Sequence, residues 1–288
     1  MLQLEIERCR RDEVEEISKI LDETQCLSLT LTDKHDSPIL EPELGTTPLW
    51  PDVIIQALYE NLEEAELALK LLEPKFPNLD YKVITLEDED WVKTCVDGIK
   101  PQKFGERLWV CPSWLSPIDP DAINLRLDPG LAFGTGTHPT TSLCLSWLEK
   151  ENLVQKTIID YGCGSGILAL AALKLGCSHV DAVDIDEQAL IATMSNAKIN
   201  DIDIDHLTIG SPEQLTLPVD ILIANILLLP LIKLKTQFRQ LLKDNGSLVV
   251  SGILKEQADE LINVYADTFA FKTKDISGDW ALLEFSCG

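Results

Sequence analysis

The chain has few of the residues that build metal centres or disulfide frameworks. Its 288 residues include four scattered histidines and eight cysteines, and no two cysteines form a Cys-x-x-Cys pair. Most of the cysteines lie in apolar helical or strand patterns, where a thiol acts as a small hydrophobic side chain. The sequence therefore predicts no metal site and a protein that works in a reducing compartment.

Long apolar runs are also missing. The most apolar stretch, Ile221 to Ile232, is short and is interrupted by Asn225 and Pro230, so it cannot span a bilayer. The chain begins with an alternating strand pattern, and that end has no apolar signal-peptide core. We therefore expect a soluble, cytoplasmic protein that does not associate with membranes.

Basic residues are scarce. The chain has 24 lysines and arginines against 48 acids, and its formal net charge is −24. A field of this sign repels phosphate backbones, so the charge disfavours DNA or RNA as the direct substrate. The same field attracts a basic partner such as a lysine-rich protein. A simpler interpretation, that the acids only keep the protein soluble, is equally compatible with the composition.

What the chain does contain is organised around residues 157–166, Thr-Ile-Ile-Asp-Tyr-Gly-Cys-Gly-Ser-Gly. An apolar run ends at Asp160, three glycines follow at alternate positions (Gly162, Gly164 and Gly166), and a helical stretch comes next. This order of strand, turn and helix is the first unit of a doubly wound α/β domain. Because a Cβ would block close approach, glycines in such a turn indicate a nucleotide lying against the backbone.

Two further polar residues follow predicted strands of the same domain. Ligands bind at the carboxyl ends of the strands in an open parallel sheet. Asp184 comes 18 residues after Gly166, at the position where such domains hold ribose hydroxyls, whereas Asp186 is better placed to cap the next helix. Asn225 ends a later strand, and its amide oxygen can accept a hydrogen bond from a substrate amine.

The patterns along the chain predict two domains. Residues 1–86 show the order βαββαβ, which indicates a smaller α+β ferredoxin-like domain with a role in recognition. Residues 87–103 are interpreted as a linker helix. Residues 104–288 alternate strands with helices and end in two strands, which is typical of a doubly wound, Rossmann-like α/β sheet.

The patterns also predict three boundaries of helices and strands within these domains. We expect Asp12 to cap the first helix. A strand is predicted to begin at Asp205. A long helix is predicted from Leu228 to Leu242, ended by Asn245 and Gly246.

Residues 127–141, Leu-Asp-Pro-Gly-Leu-Ala-Phe-Gly-Thr-Gly-Thr-His-Pro-Thr-Thr, form the second conspicuous segment. Its glycines, prolines and threonines predict a long loop that leads into a helix from Thr140 or Thr141 to Glu149. Long ordered loops are usually functional. The alternative is a loop that its own turns hold in place.

This segment, the glycine turn, the Asp184-Ile-Asp motif and the Ala224-Asn-Ile-Leu motif together resemble the bacterial ribosomal protein L11 methyltransferase family. The resemblance covers the whole chain. It implies a class I methyltransferase domain with S-adenosylmethionine as cofactor, and a mobile N-terminal domain that presents the substrate. The implied acceptors are lysine side chains and the N-terminal amine of one basic ribosomal protein of the large subunit. The family's cofactor contacts correspond to Thr141, Gly162, Asp184 and Asn225.

One departure from other amino methyltransferases leaves the amine-binding residues open. Those enzymes carry Asn-Pro-Pro-Tyr, whereas here Asn225 is followed by Ile226-Leu227, so any aromatic contact with the amine must come from elsewhere. Phe133 and His138 are our candidates, with His138 either a base or a structural loop residue.

Three other functions use the same fold. A nicotinamide oxidoreductase is opposed by the order Gly-x-Gly-x-Gly, which differs from the Gly-x-Gly-x-x-Gly of dinucleotide-binding turns. A methyltransferase of nucleic acid is opposed by the net charge. A binding protein without catalytic activity is disfavoured, because every position that is expected to contact the ligand carries a residue able to do so.

Overall fold

The computed structural model divides the chain into two compact units, Met1–Val96 and Asp97–Gly288. It describes residues 1–35, 37, 39–40, 45–86, 100–128, 136 and 138–288. Of the predicted linker helix, 87–103, residues 87–99 lie outside the described part of the chain.

The first unit is a four-stranded antiparallel sheet with two helices. Its elements are β1 (Leu2–Arg10), α1 (Val14–Asp22), β2 (Ser28–Asp33), β3 (Asp52–Tyr59), α2 (Leu62–Leu72) and β4 (Tyr81–Thr85). The strand order β2-β3-β1-β4 is that of a ferredoxin-like sheet, as predicted. Alternate residues of β3, among them Ile55 and Tyr59, are buried against Ile17 of α1 and Leu72 of α2 in one apolar core.

The prediction that Asp12 caps α1 is wrong. The capping position belongs to Glu13, whose side chain makes no bond to the helix. The Glu13 carboxylate instead accepts hydrogen bonds from the Arg10 backbone N–H at 3.0 Å and from its guanidinium at 2.8 Å. The helix therefore begins one residue later than the sequence pattern indicated.

The second unit begins with a small three-stranded sheet. Its strands are β5 (Gln102–Phe104), β6 (Leu108–Pro112) and β7 (Ile123–Leu127), with β6 and β7 parallel. Phe104, Leu108 and Leu125 are buried in the main apolar core of this unit. With three residues, β5 is too short to show a period of two in the sequence.

A seven-stranded sheet follows, in the order β10-β9-β8-β11-β12-β14-β13. Its strands are β8 (Thr157–Tyr161), β9 (His179–Val183), β10 (Leu207–Gly210), β11 (Val219–Asn225), β12 (Leu242–Leu254), β13 (Phe269–Ser277) and β14 (Trp280–Cys287). Strands β8 to β12 are parallel, and β14 runs antiparallel between β12 and β13.

Helices cover both faces of this sheet. They are α3 (Pro139–Lys150), α4 (Ile167–Lys174), α5 (Glu187–Ile199), α6 (Leu228–Gln240) and α7 (Ala258–Tyr265). Because successive strand residues point to opposite faces, Ile158 and Ile223 belong to one core, whereas Ile159 and Leu222 belong to the other. The predicted α/β class and its doubly wound sheet are confirmed. Within the described residues, no helix is both long and apolar enough to cross a membrane.

Two predicted boundaries in this unit are wrong. The strand expected at Asp205 begins only at Leu207, because Ile204–His206 form a short 3-10 helix that Asp203 caps.

The helix expected to reach Leu242 ends at Gln240, and Leu242 already pairs with Val219 in the sheet. Asn245, with φ 62°, lies in an irregularity of β12, so its turn chemistry marks a bulge and does not stop the helix.

Candidate active site

The turn after β8 needs glycine at alternate positions. Gly162, Gly164 and Gly166 have φ angles of 81°, 55° and 78°, in the left-handed region that side chains disfavour. The backbone N–H groups of Gly162 and Cys163 both donate to the Val183 carbonyl, at 2.8 and 3.0 Å. The turn is thereby held against the end of the neighbouring strand β9.

Neighbouring side chains add a second constraint at two of these glycines. A Cβ on Gly162 would lie 2.5 Å from Cγ2 of Ile226, the residue that follows β11. A Cβ on Gly166 would lie 2.7 Å from Cγ2 of Thr193 in α5. Gly166 therefore permits close packing of α5 on the turn, and it is not among the described residues that line the cavity below.

A cavity of about 530 Å³ lies beside the glycine turn, at the carboxyl ends of the strands. Five residues that the sequence predicts as cofactor contacts line it together: Thr141, Gly162, Gly164, Asp184 and Asn225. Most of the remaining wall is apolar, and Lys233 is the basic residue on the described part of it. This size and lining suit a small organic ligand with a few polar contacts.

Asp184 lies at the end of β9 with both carboxylate oxygens held in place. Its Oδ2 accepts a hydrogen bond from the Gly164 N–H at 3.0 Å, and its Oδ1 accepts one from the Asp186 N–H at 3.0 Å. Each oxygen keeps further acceptor capacity for ligand hydroxyl groups. Asp186 caps α5 through the Gln188 N–H at 2.9 Å, which confirms that prediction.

Asn225 ends β11 beside Thr141 of α3. Its Nδ2 donates to the Thr141 Oγ1 at 3.3 Å, and Thr141 itself is only 1% exposed. The Asn225 Oδ1 is buried, and it has no hydrogen-bond partner among the residues that the structure describes. An unpaired buried acceptor on a cavity wall suits a ligand that brings a donor.

Asp160 lies directly beneath the turn. It is 1% exposed, and its Oδ2 accepts a hydrogen bond from the Ala169 N–H of α4 at 2.9 Å. Burial raises the pKa of this carboxyl group to about 7, with a smaller contribution in the same direction from the charge of Asp184 and an opposing one from the Ala169 N–H. At neutral pH Asp160 is therefore divided between its neutral and ionised forms.

His138 is the N-cap of α3. Its Nδ1 lies 2.7 Å from the Thr140 Oγ1 and accepts a longer hydrogen bond from the Thr140 N–H at 3.4 Å. Its ring packs edge-on against Trp280, with ring centroids 4.7 Å apart, and burial lowers its pKa. His138 does not line the cavity within the described region, and Phe133, the other candidate for contacting the amine, lies outside the described residues.

Trp280 is an aromatic neighbour of His138 that the sequence does not indicate. It begins β14, far along the chain from His138, and no local pattern connects the two. Only the return of β14 between β12 and β13 brings its indole ring to the start of α3.

No group of histidine, cysteine or acidic side chains in the described part of the chain is arranged to hold a metal ion. The cavity instead combines bare backbone, a carboxylate and an unpaired amide oxygen at neighbouring strand ends. On a seven-stranded sheet with an antiparallel strand inserted near one edge, this arrangement defines a class I methyltransferase.

Comparison with known proteins gives the family. The model of the family "Ribosomal protein L11 methyltransferase (PrmA)" matches residues 1–287, and the chain belongs to this family. A ribosomal protein L11 methyltransferase of Legionella pneumophila (strain Lens) is 57% identical over 284 residues, which cover 99% of this chain and 98% of the relative. One of Shewanella baltica (strain OS185) is 47% identical over 277 residues, 94% of each chain.

A solved structure agrees with this assignment. The crystal structure of a ribosomal protein L11 methylase from Lactobacillus delbrueckii subsp. bulgaricus superposes with a TM-score of 0.61 at 32% identity, covering 66% of this chain and 99% of that one. The predicted family and enzyme class are thus confirmed, and S-adenosylmethionine is the methyl donor of the class. The nicotinamide oxidoreductase alternative is set aside.

Proposed function

We propose that this enzyme methylates amino groups of ribosomal protein L11, at lysine side chains and the N-terminal amine. Family membership over nearly the whole chain supports the acceptor protein. The observation that carries the chemistry is the buried Asn225 Oδ1, which has no partner within the described residues and lies on the wall of the cavity beside the glycine turn.

The residues of the cavity fit the cofactor. Gly162 and Gly164 present backbone without a Cβ, and the Asp184 carboxylate can accept hydrogen bonds from ribose hydroxyls. Thr141 and Asn225 complete the polar wall. When bound, the cofactor supplies an electrophilic methyl group on a sulfonium centre.

The residues of the chain then have to present a neutral amine. A free lysine has a pKa of about 10.4, so it is mostly protonated at neutral pH. Entry into a largely apolar cavity lowers that pKa and favours the form with a free lone pair. The Asn225 Oδ1 accepts a hydrogen bond from the amine, and this bond orients the lone pair towards the methyl group.

We assign His138 a structural role in this scheme. Its Nδ1 is occupied at the start of α3, and a proton that leaves the amine for water before transfer makes a strong protein base unnecessary. Phe133 stays our candidate for the aromatic contact with the amine, and Trp280 packs against His138.

The acceptor is a protein and not RNA in this proposal. The net charge of −24 favours a basic partner and opposes a phosphate backbone, and the unit Met1–Val96 has no evident chemistry of its own. We propose that this unit recognises the substrate protein. We also propose that the reaction takes place in the cytoplasm, because the acceptor is a component of the ribosome.

A methyl-transfer assay with three acceptors tests the proposal. Purified enzyme is incubated with S-adenosylmethionine labelled in its methyl group and with L11, a mixture of the other ribosomal proteins, or ribosomal RNA. We expect label in L11 alone, with mass increments of one or more methyl groups at lysines and the N-terminal residue. Label only in RNA or in the other proteins, or none in L11, contradicts the proposal.

A further inference from the structure

Three polar side chains lie on one side of α5 and its C-cap residue, Asn200, where the helix packs against the glycine turn. Thr193, Asn196 and Asn200 follow one another at helical spacings of three and four residues. They are 0%, 2% and 5% exposed. Buried polar groups of this kind require hydrogen-bond partners, so each of them has to connect α5 to something else.

The two outer side chains each bind a single segment. The Thr193 Oγ1 donates to the Gly164 carbonyl at 3.0 Å, within the glycine turn. The Asn200 Oδ1 accepts from the Arg126 N–H at 2.8 Å, and its Nδ2 donates to the Arg126 carbonyl at 2.5 Å and to the Asn196 carbonyl of its own helix at 2.8 Å. Thr193 therefore supports the turn, and Asn200 supports strand β7.

Asn196, between them, binds both segments at once. Its Nδ2 donates to the Ser165 carbonyl of the glycine turn at 2.9 Å. Its Oδ1 accepts from the N–H of Asp128, the residue that follows β7, at 3.2 Å. One buried amide thus joins the turn to the start of the segment that leads along the chain to Thr141.

We infer that Asn196 is a positioning residue of the methyltransferase, which sets the glycine turn and the end of β7 at one fixed separation. The inference rests on the proposed function. Ligand binding is tighter when the groups that contact the ligand are already ordered, since ordering them on binding costs free energy. A side chain that bonds to both segments fixes their separation before the ligand arrives, and one of the two, the glycine turn, lines the cavity.

Substitution of the three side chains separates this role from simple support of α5. Asn196→Ala should raise the dissociation constant for S-adenosylmethionine about tenfold and lower kcat at saturating cofactor and L11 about tenfold, since both segments lose a partner. Thr193→Val removes hydrogen bonding only to the turn. It should raise the dissociation constant for S-adenosylmethionine and lower kcat less than Asn196→Ala does.

Asn200→Ala is the matched control. It also removes a buried amide from the same face of α5, so it should lower Tm at least as much as Asn196→Ala does. Asn200 bonds to Arg126 and to the backbone carbonyl of Asn196 but not to the turn, so its loss leaves the Asn196 side chain and its two bonds in place and should keep the dissociation constant and kcat within about twofold of the parent. Should Asn196→Ala fail to fold, Asn196→Ser retains one polar group and undergoes the same measurements.

Calorimetric titration with S-adenosylmethionine gives the dissociation constants, and initial rates on L11 give kcat. Asn196 variants that match the parent in both quantities overturn the inference. An Asn200→Ala variant that is impaired as severely as Asn196→Ala also overturns it, because the effect would then belong to the stability of α5. A parent enzyme that takes up no S-adenosylmethionine contradicts the proposed function instead.

Discussion

Two buried carbonyl or carboxylate oxygens, Asn225 Oδ1 and Asp160 Oδ1, have no hydrogen-bond partner within the described part of the chain. Leaving such an atom unpaired costs about 1–3 kcal/mol, so each needs a physical explanation. Asn225 lies on a cavity wall, where a ligand can pair with it. Asp160 is enclosed by protein, and a raised pKa reduces its charge.

Asn225→Ala should lower kcat for methylation of L11 about a hundredfold, because the amine loses the acceptor that orients its lone pair. The dissociation constant for S-adenosylmethionine should rise less. Asn263→Ala, the same substitution at an exposed position of α7, should behave as the parent does. Initial rates and calorimetry measure the two quantities. An Asn225→Ala enzyme as fast as the parent removes this residue from the mechanism.

Asp160 should make the stability of the protein depend on pH. Its pKa in the folded protein, about 7, is above the ordinary value near 3.9, so the folded state binds its proton more tightly than the unfolded state does. Its contribution to stability is therefore complete below about pH 4 and is lost as the pH rises through 7.

Asp160→Asn removes this titration. From pH 5 to pH 8 the free energy of unfolding of the variant should increase, relative to that of the parent, by on the order of 2 kcal/mol. Denaturant unfolding at several pH values measures the difference. The change with pH is the informative quantity, since burying an amide also shifts the absolute stability. A difference that stays constant over this range contradicts the assigned pKa.

At the scale of the element, the N-terminus of α3 determines how Thr141 is presented. The helix begins with Pro139 at its first turn and His138 as its cap, both suited to that end of a helix. Thr141 follows in the same turn, and its hydroxyl meets Asn225. The cap therefore acts on the site through the helix and not through direct contact.

His138→Asn and His138→Ala separate capping from catalysis. Asparagine is a good N-cap and alanine is not, so His138→Ala should lose about 1 kcal/mol of stability relative to His138→Asn. Both variants lack the imidazole. If the role is structural, His138→Asn should methylate L11 within about threefold of the parent rate.

Unfolding measurements and initial rates distinguish these outcomes. A His138→Asn variant that is as stable as the parent and yet almost inactive would falsify the structural assignment, since the lost group would then be the imidazole itself.

Sequence patterns predicted most helices and strands but misplaced the end residues of a few of them. A capping residue such as Asp186 acts within a few positions, so the start of α5 could be predicted. The end of α6 could not, because Asn245 has the chemistry of a helix stop but serves a bulge of β12. Whether such a residue ends a helix or bends a strand depends on the neighbouring strand.

At the scale of the whole molecule, the charge should govern encounter with the substrate. Acids exceed bases by 24, and opposite charge on the partner speeds association and is screened by salt. The KM for L11 should therefore rise roughly tenfold between 50 and 300 mM salt. The dissociation constant for S-adenosylmethionine, a small ligand in a cavity, should change less. A KM that does not depend on salt would show that the acids serve solubility alone.

The class of the fold, the family and most of the proposed site residues can be predicted from the amino-acid sequence. Those properties reside in short segments, because a left-handed turn needs glycine at Gly162, Gly164 and Gly166, and a strand-end acid such as Asp184 follows its own strand directly.

Contacts between residues that are distant along the chain could be found only in the folded structure. Thr141 and Asn225 are 84 positions apart, and Asn196 lies 68 positions from Asp128, yet each pair shares a hydrogen bond. Such contacts depend on the order of strands in the sheet and on the face that each helix presents. Neither the strand order nor the buried face of a helix is encoded in a local pattern, because both arise from the packing of the complete chain.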